Sequence, residues 1–303
     1  MKNKLSLKGC FPPIPTPFDA KGRVDQGRLT ENLEKWQKTP LRGFVVLGSN
    51  GEAVLLKERE KLAIWKTAAE AIRKDRLFIA GTGCEATLET IELTEKAAAV
   101  GAHAAMIVTP HYYKSAMDHG TLVAHYTAIA EKSSIPIILY NVPGFTGIDM
   151  SAETIIELSA HPNIIGLKES SGNIVKISQV VSRAEKSFQV LAGSGSFLAP
   201  SLAMGAVGSV MALAAVAPFE LQEMIEAYDK GNMNLLRDIQ HRLIAPNQAV
   251  TSRFGIAGLK AALDFLGMYG GPVRRPLPAL TEEKLAELKT ILTEAKLGKL
   301  PRR

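Results

Sequence analysis

The stretch Asn163-Ile164-Ile165-Gly166-Leu167-Lys168-Glu169-Ser170-Ser171-Gly172-Asn173 starts as an apolar run and ends on a lysine. A short unbroken apolar run bounded by Ser, Gly and Asn predicts a strand covered on both faces. An ammonium at the end of such a strand needs a reason. Either Lys168 snorkels into water from the strand end, or it is a nucleophile that the other strands hold in place.

Similar runs recur on either side. Strands are predicted at 10–15, 44–47, 77–80, 104–108, 135–140, 164–168, 188–192 and 208–211. Between the second and third, Leu62, Trp65, Ala69 and Ile72 repeat at helical spacing. From Thr87 onward Leu88, Ile91 and Ala98 share one face, and Gly101 suits the stop. Further helices fit 118–132, 151–160, 174–185 and 197–204. Strand and helix thus alternate eight times in roughly 220 residues, which predicts an α/β fold, the closed (β/α)8 TIM barrel. Pro12, Pro13 and Pro15 lack ladder donors, so the first strand is expected to be short or irregular. After Pro218 only helices are predicted, at 221–229, 233–248, 255–266 and 281–297, the last with Leu285, Leu288 and Leu292 as its apolar stripe. The expected division is a catalytic barrel over 1–224 and a C-terminal helical domain over 225–303 that packs on it.

Composition narrows the function classes. Of 303 residues, 46% are hydrophobic and 22% charged, ordinary for a protein with a large buried core. No run reaches the ~18 apolar residues of a membrane span, and Met1 to Leu7 is too short and polar for a signal peptide. Cys10 and Cys84 alone supply neither a disulfide framework nor a metal cage, so a reducing, cytoplasmic setting is expected. The net charge of +6 is spread thinly and is densest at Lys296, Lys299, Arg302 and Arg303, which reads as a solvated tail. Without interleaved aromatics or a known motif, that charge does not point to nucleic acid.

In such a barrel the C-terminal strand ends build the active site. Those ends carry Gly48-Ser49-Asn50-Gly51-Glu52, Thr109-Pro110-His111-Tyr112-Tyr113, Tyr140-Asn141, Lys168-Glu169-Ser170 and Gly193-Ser194-Gly195-Ser196. If Lys168 points into the barrel, alternation places Gly166 and Ile164 on the same face, and Tyr140 with Ile138. A lysine so placed is desolvated, which favours the neutral amine, and only the neutral amine attacks a carbonyl to form a Schiff base. The Tyr140 hydroxyl is the candidate to move the protons. The glycines of the Ser49 loop admit a ligand close to the backbone, so the loop is either a plain βα turn or a carboxylate cradle. Glu52 is either a base or half of an ion pair that braces the loop. Neither Gly193-Ser194-Gly195 nor Gly81-Thr82-Gly83 completes a dinucleotide fingerprint. The six histidines (103, 111, 119, 125, 161 and 241) lack metal-ligand spacing, and Cys84 reads as a small buried thiol. No metal or cofactor is expected beyond a covalent imine on Lys168.

Residues 43–52, Gly-Phe-Val-Val-Leu-Gly-Ser-Asn-Gly-Glu, resemble the first signature of the dihydrodipicolinate synthase / N-acetylneuraminate lyase family. Tyr140-Asn141-Val142-Pro143, together with Ile165 to Asn173, resembles the second. The resemblance spans nearly the whole chain. It implies a barrel with C-terminal helices, usually a homotetramer, that makes or breaks carbon bonds next to pyruvate without a metal. By position, Lys168 would form the pyruvate imine and Tyr140 would relay protons. Ser49 and Asn50 would hold the carboxylate, and Tyr113 would complete the relay from a neighbouring subunit. Substrate contacts are expected from Gly48, Ser49, Asn50, Ser170, Gly193, Ser194 and Val210. Phe145 stands where the synthases carry an arginine, and residues 194–196 lack the acidic groups of the neuraminate lyases.

Within that family the likeness runs to the 4-hydroxy-2-oxoglutarate aldolases. It is carried by G-S-N-G-E, Leu191-Ala192-Gly193-Ser194, His241-Arg242-Leu243-Ile244, Arg253-Phe254-Gly255-Ile256 and Tyr269-Gly270-Gly271-Pro272. The expected reaction is cleavage of 4-hydroxy-2-oxoglutarate to pyruvate and glyoxylate. The alternatives are dihydrodipicolinate synthesis, another 2-oxo acid aldolase of keto-deoxy sugar acid or neuraminate type, and, from a different class, a non-catalytic pyruvate sensor.

Overall fold

The computed structural model describes residues 5–300. Of the basic tail, Lys296 and Lys299 fall within the described residues, and Arg302 and Arg303 lie outside them. Among the described residues, nine parallel strands form one sheet: β1 (Gly9–Phe11), β2 (Pro13–Ile14), β3 (Gly43–Val46), β4 (Leu77–Gly81), β5 (Ala104–Val108), β6 (Ile137–Asn141), β7 (Ile164–Glu169), β8 (Gln189–Ala192) and β9 (Gly208–Val210). The strand order is β1-β9-β8-β7-β6-β5-β4-β3-β2. Its two ends are the halves of one interrupted strand. β1 pairs with β9 and β2 with β3, and Pro12, which has no N–H to give, lies at the break. The expected irregular first strand is therefore what closes the (β/α)8 barrel.

The helices are α1 (Gln26–Trp36), α2 (Glu58–Ala71), α3 (Thr87–Ala99), α4 (His119–Lys132), the short α5 (Pro143–Thr146), α6 (Ala152–Ser159), α7 (Ile174–Arg183) and α8 (Leu198–Ala203). After β9 come α9 (Pro218–Asp229), α10 (Met233–Gln248), α11 (Gly255–Phe265) and α12 (Glu282–Glu294). Asp25, Asp118, Ser151, Asn173, Asn232 and Thr281 each accept a backbone N–H at a helix start, which is why these polar residues stand where they do. Sequence periodicity does not bring out α1, whose Leu29, Leu33 and Trp36 are buried, nor α5. Residue 225 lies within α9, and one buried cluster runs from Leu29 and Trp65 through Leu243 to Leu292.

Inside the barrel, Phe11, Val45, Ile79, Met106, Ile138, Tyr140, Leu191 and Val210 form a separate apolar cluster. Leu7 joins this cluster and is fixed by its N–H to Gln189 Oε1 at 2.8 Å, while Gln189 Nε2 donates to the Leu5 carbonyl at 2.9 Å. Ile138 and Tyr140 share the interior face as expected. Ile164 does not join them: it packs outside with Ile137, Leu139 and Leu167. A register shift explains this, because Ile164 pairs with Ile137 but Gly166 pairs with Ile138. The extra residue, Ile165, inverts the alternation once, so parity holds from Gly166 to Lys168 and fails one step earlier.

Burial gives His125 on α4 a pH consequence. His125 on α4 is buried, its Nδ1 lies 2.9 Å from Thr87 Oγ1, and burial moves its pKa from 6.5 down to about 4. The fold thus holds a neutral imidazole while the unfolded chain takes up the proton below pH 6.5. Stability from this site is complete above about pH 6.5 and is lost as the pH falls toward 4, by roughly 3 kcal/mol in all. In urea titrations, His125→Asn is expected to flatten the wild-type loss between pH 6.5 and 4. An unchanged slope would contradict the assignment.

Candidate active site

At the C-terminal rim, the register pairs Tyr140 directly with Lys168 and Asn141 with Glu169. Alternation then divides the four residues. Lys168 and Tyr140 face inward, each 4% exposed, and the Lys168 Nζ lies 3.9 Å from the centroid of the Tyr140 ring. Among the described residues no carboxylate or hydrogen-bonding group contacts that amine. The snorkelling alternative for Lys168 does not hold, because its side chain is buried.

The other two face outward into a polar clamp. Glu169 is fully buried and accepts from Asn141 Nδ2 at 2.9 and 3.0 Å and from the Ser171 N–H at 2.6 Å. The buried Lys176 ammonium stands 3.7 Å from Glu169 and also pairs with Asp149. Asn141 Nδ2 reaches Asp149 at 2.7 Å, and Asn141 Oδ1 accepts the Met150 N–H at 3.0 Å. A buried carboxylate with this many donors fixes the register of β6 against β7, and the register sets where Lys168 and Tyr140 meet.

The Ser49 loop enters from β3. Ser49 Oγ lies 3.3 Å from the Tyr140 hydroxyl, joining the two expected partners. The loop is a tight turn, with the Gly51 N–H to Gly48 O at 2.9 Å, and it sits between two left-handed residues, Leu47 (φ 66°) and Glu52 (φ 55°). Such conformations cost a non-glycine residue of order 1–3 kcal/mol and persist only where the surroundings hold them. Gly81 makes room for the first: a Cβ there would lie 2.2 Å from the Leu47 carbonyl oxygen.

Above the lysine opens a cleft of about 320 Å³. Its polar lining is Asn50, Tyr140, Lys168, Ser170, Ser194, Thr251 and Ser252, and its apolar walls include Phe145, Val142, Val250 and Ile256. Among the described residues, Lys168 is the one Lys, Arg, Asp or Glu in that lining. Gly193 also borders it, and a Cβ there would fall 1.9 Å from Ser170 Oγ and 2.6 Å from the Glu169 carbonyl oxygen. Ser170 Oγ is buried without a hydrogen-bond partner among the described residues. Gly48 and Ser49 border a smaller adjoining hollow that shares Tyr140 with the cleft.

Two expected contacts are not brought into this lining. Val210 is fully buried in the barrel cluster and borders neither hollow. Tyr113 stands 72% exposed beside Tyr112, ring centroids 5.1 Å apart, and likewise borders neither hollow within its own chain.

The far wall lies beyond what strand-end reasoning finds. Thr251 and Ser252 sit on a π-turn, Ala249–Arg253, that comes just after Pro246 inside the helical run. Proline's missing donor loosens a helix, and π-turns recur at functional sites. One turn earlier, the buried Asn247 donates to Ser194 Oγ at 3.0 Å and Ser196 Oγ at 2.8 Å and accepts the Gly195 N–H at 3.1 Å. Pro246-Asn247 within an otherwise helical pattern is the signal that could have found it.

A barrel presenting a buried lysine beside a tyrosine–serine pair at its C-terminal rim has the layout of a class I aldolase. The chain belongs to the dihydrodipicolinate synthetase family, whose sequence profile matches residues 6–295. It is 37% identical over 289 residues to a 4-hydroxy-tetrahydrodipicolinate synthase of Methanothrix thermoacetophila, covering 95% of this chain and 97% of that one. A synthase of the same name from Thermoanaerobacter sp. (strain X514) is 34% identical, covering 95% and 96%. Among solved structures, a dihydrodipicolinate synthase from Bacillus anthracis superposes with a TM-score of 0.92 at 30% identity, covering 95% of this chain and 98% of that one. The chloride-inhibited dihydrodipicolinate synthase from Acinetobacter baumannii, complexed with pyruvate, gives 0.91 at 30%, covering 96% and 100%. The protein is thus an enzyme of the class I aldolase type, acting on carbon–carbon bonds.

The clamp generates a stability test. Asn141→Ala strips Glu169 and the Met150 N–H of partners at once and is expected to lower unfolding free energy by about 2–4 kcal/mol in urea. A loss below about 0.5 kcal/mol would mean that the clamp does not hold the strand ends.

Proposed function

We propose that the enzyme captures pyruvate as an imine on Lys168 and uses the derived enamine to form or break a carbon–carbon bond with a small aldehyde. The observation that carries this reading is the Lys168 amine, buried and without an ion-pair partner among the described residues, directly across from Tyr140 and its bonded Ser49. In the addition, the neutral amine attacks the ketone carbon and the carbinolamine then loses water to give the imine. Loss of a methyl proton gives the enamine, whose carbon attacks the aldehyde, and water finally releases the product. Cleavage is the reverse. Tyr140, with Ser49 as its partner, is the group proposed to carry protons between these stages. Ser49 and Asn50 are proposed to hold the pyruvate carboxylate, with Gly48 allowing close approach. Ser170, Gly193 and Ser194 are proposed to face the aldehyde half.

On the aldehyde, the relatives' names favour a 4-hydroxy-tetrahydrodipicolinate synthase-type condensation over cleavage of 4-hydroxy-2-oxoglutarate. One observation favours a second reading, another 2-oxo acid aldolase. Phe145 and the hydroxyls of Ser194, Thr251 and Ser252 line the cleft, and among the described residues that lining holds no arginine to pair with a carboxylate. Assembly into a homo-oligomer is proposed to bring Tyr113 of a second copy to the site. Tyr112, Tyr113, Val54 and Leu88 are all largely exposed, in keeping with such a surface.

Three reactions separate the readings: condensation of pyruvate with the aldehyde that 4-hydroxy-tetrahydrodipicolinate synthesis requires, pyruvate release from 4-hydroxy-2-oxoglutarate, and pyruvate release from longer 3-deoxy-2-oxo acids. Turnover is expected in one of the three. It should vanish in Lys168→Ala and fall about 10²-fold or more in Tyr140→Phe. Wild-type turnover in Tyr140→Phe would remove Tyr140 from the proton path.

A further inference from the structure

Glu52 carries a feature that the imine chemistry does not use. It ends the Ser49 turn in a left-handed conformation, and its side chain is buried against the equally buried Lys260. Lys260 Nζ lies 2.6 Å from Glu52 Oε1 and donates to the Pro272 carbonyl at 2.7 Å. The second oxygen, Glu52 Oε2, accepts the Arg274 backbone N–H at 2.7 Å. Lys260 also stands over the Phe18 ring, 4.3 Å from its centroid. Burial pulls the Lys260 pKa down from the ordinary lysine range, and the Glu52 charge opposes that pull.

The position of this pair in the fold gives it a further role. Glu52 comes directly after Gly51, whose carbonyl is held by Thr16 Oγ1 at 2.6 Å, and the Glu52 N–H donates to the Ser49 carbonyl at 3.0 Å. Any shift of Glu52 therefore moves Ser49. Lys260 lies on α11, and the start of that helix, Gly255 and Ile256, lines the far wall of the cleft. The ion pair thus links the two sides of one cleft through residues far apart in the chain. Of the two roles open to Glu52 from the sequence, base or brace, the structure leaves the brace: with Lys260 and Arg274 occupying its carboxylate, Glu52 is not placed to take a substrate proton. We propose that Glu52 and Lys260 are a positioning pair that sets the Ser49–Asn50 turn at the distance from α11 at which it grips the carboxylate of a bound 2-oxo acid.

This inference rests on the pyruvate-imine reading, and the test keeps the two apart. Exchange of pyruvate methyl protons with deuterated water, monitored by NMR, reports imine and enamine formation without any aldehyde. The double variant Glu52→Gln/Lys260→Met removes both charges together and leaves neither buried alone. Its pyruvate KM for exchange is expected to rise about tenfold, with kcat within about threefold of wild type and thermal stability retained. Should the double variant not fold, Glu52→Asp keeps the charge but shortens the reach, and its KM is expected to rise at least threefold. A KM within about twofold of wild type in either folded variant overturns the positioning role, as does a lowered Tm with unmoved KM. Absence of exchange in the wild type overturns the imine reading itself and this inference with it.

Discussion

The pairing of β6 with β7 is the constraint on which the site depends. In one register it sets Tyr140 beside Lys168 on the inside and Asn141 beside Glu169 on the outside. A slip by a single residue would exchange the two faces, sending the amine into the helix layer and the carboxylate into the barrel. The clamp of Asn141, Glu169, Lys176 and Asp149 makes that slip costly, because a buried carboxylate would lose its donors. The outer polar cluster and the inner lysine–tyrosine pair are therefore two sides of one device.

The remaining architecture supplies a floor and two walls. Leu7 and the interior apolar cluster fill the barrel below the rim, so the Lys168 amine stands on packed side chains. The Ser49 turn, flanked by two left-handed residues, approaches from one side. The C-terminal helices close the other side through the π-turn of Thr251 and Ser252 and through Asn247, which fixes the Ser194 loop. Among the described residues, Lys168 is the one Lys, Arg, Asp or Glu in the cleft lining, and the rest of that lining is neutral.

How much of the molecule is legible in the sequence depends on the range of the interactions. Strand ends and continuous apolar runs are local signals, so Lys168, Tyr140 and the Ser49 loop can be read without knowledge of any contact. The broken first strand is visible too, because prolines announce their missing donors. Parity fails at Ile164, where a bulge adds Ile165, and no residue type marks a bulge in an all-apolar strand. The Glu52–Lys260 pair and the Thr251–Ser252 wall escape because their partners lie far away in the chain and meet only when the C-terminal helices dock. Tyr113 shows the opposite case: its expected place comes from a resemblance, and within its own chain it points into solvent. The aldehyde is where expectation and relatives part: the motifs point the expectation to 4-hydroxy-2-oxoglutarate cleavage, whereas the named relatives are synthases.

Lys168 is the group proposed to capture the 2-oxo acid. Treating the protein with borohydride in the presence of pyruvate, then mapping the peptides by mass, tests it directly. The expected result is a reduced pyruvate adduct on the peptide that contains Lys168, absent when either pyruvate or borohydride is withheld. An unmodified Lys168, or an adduct confined to another lysine, would contradict the account.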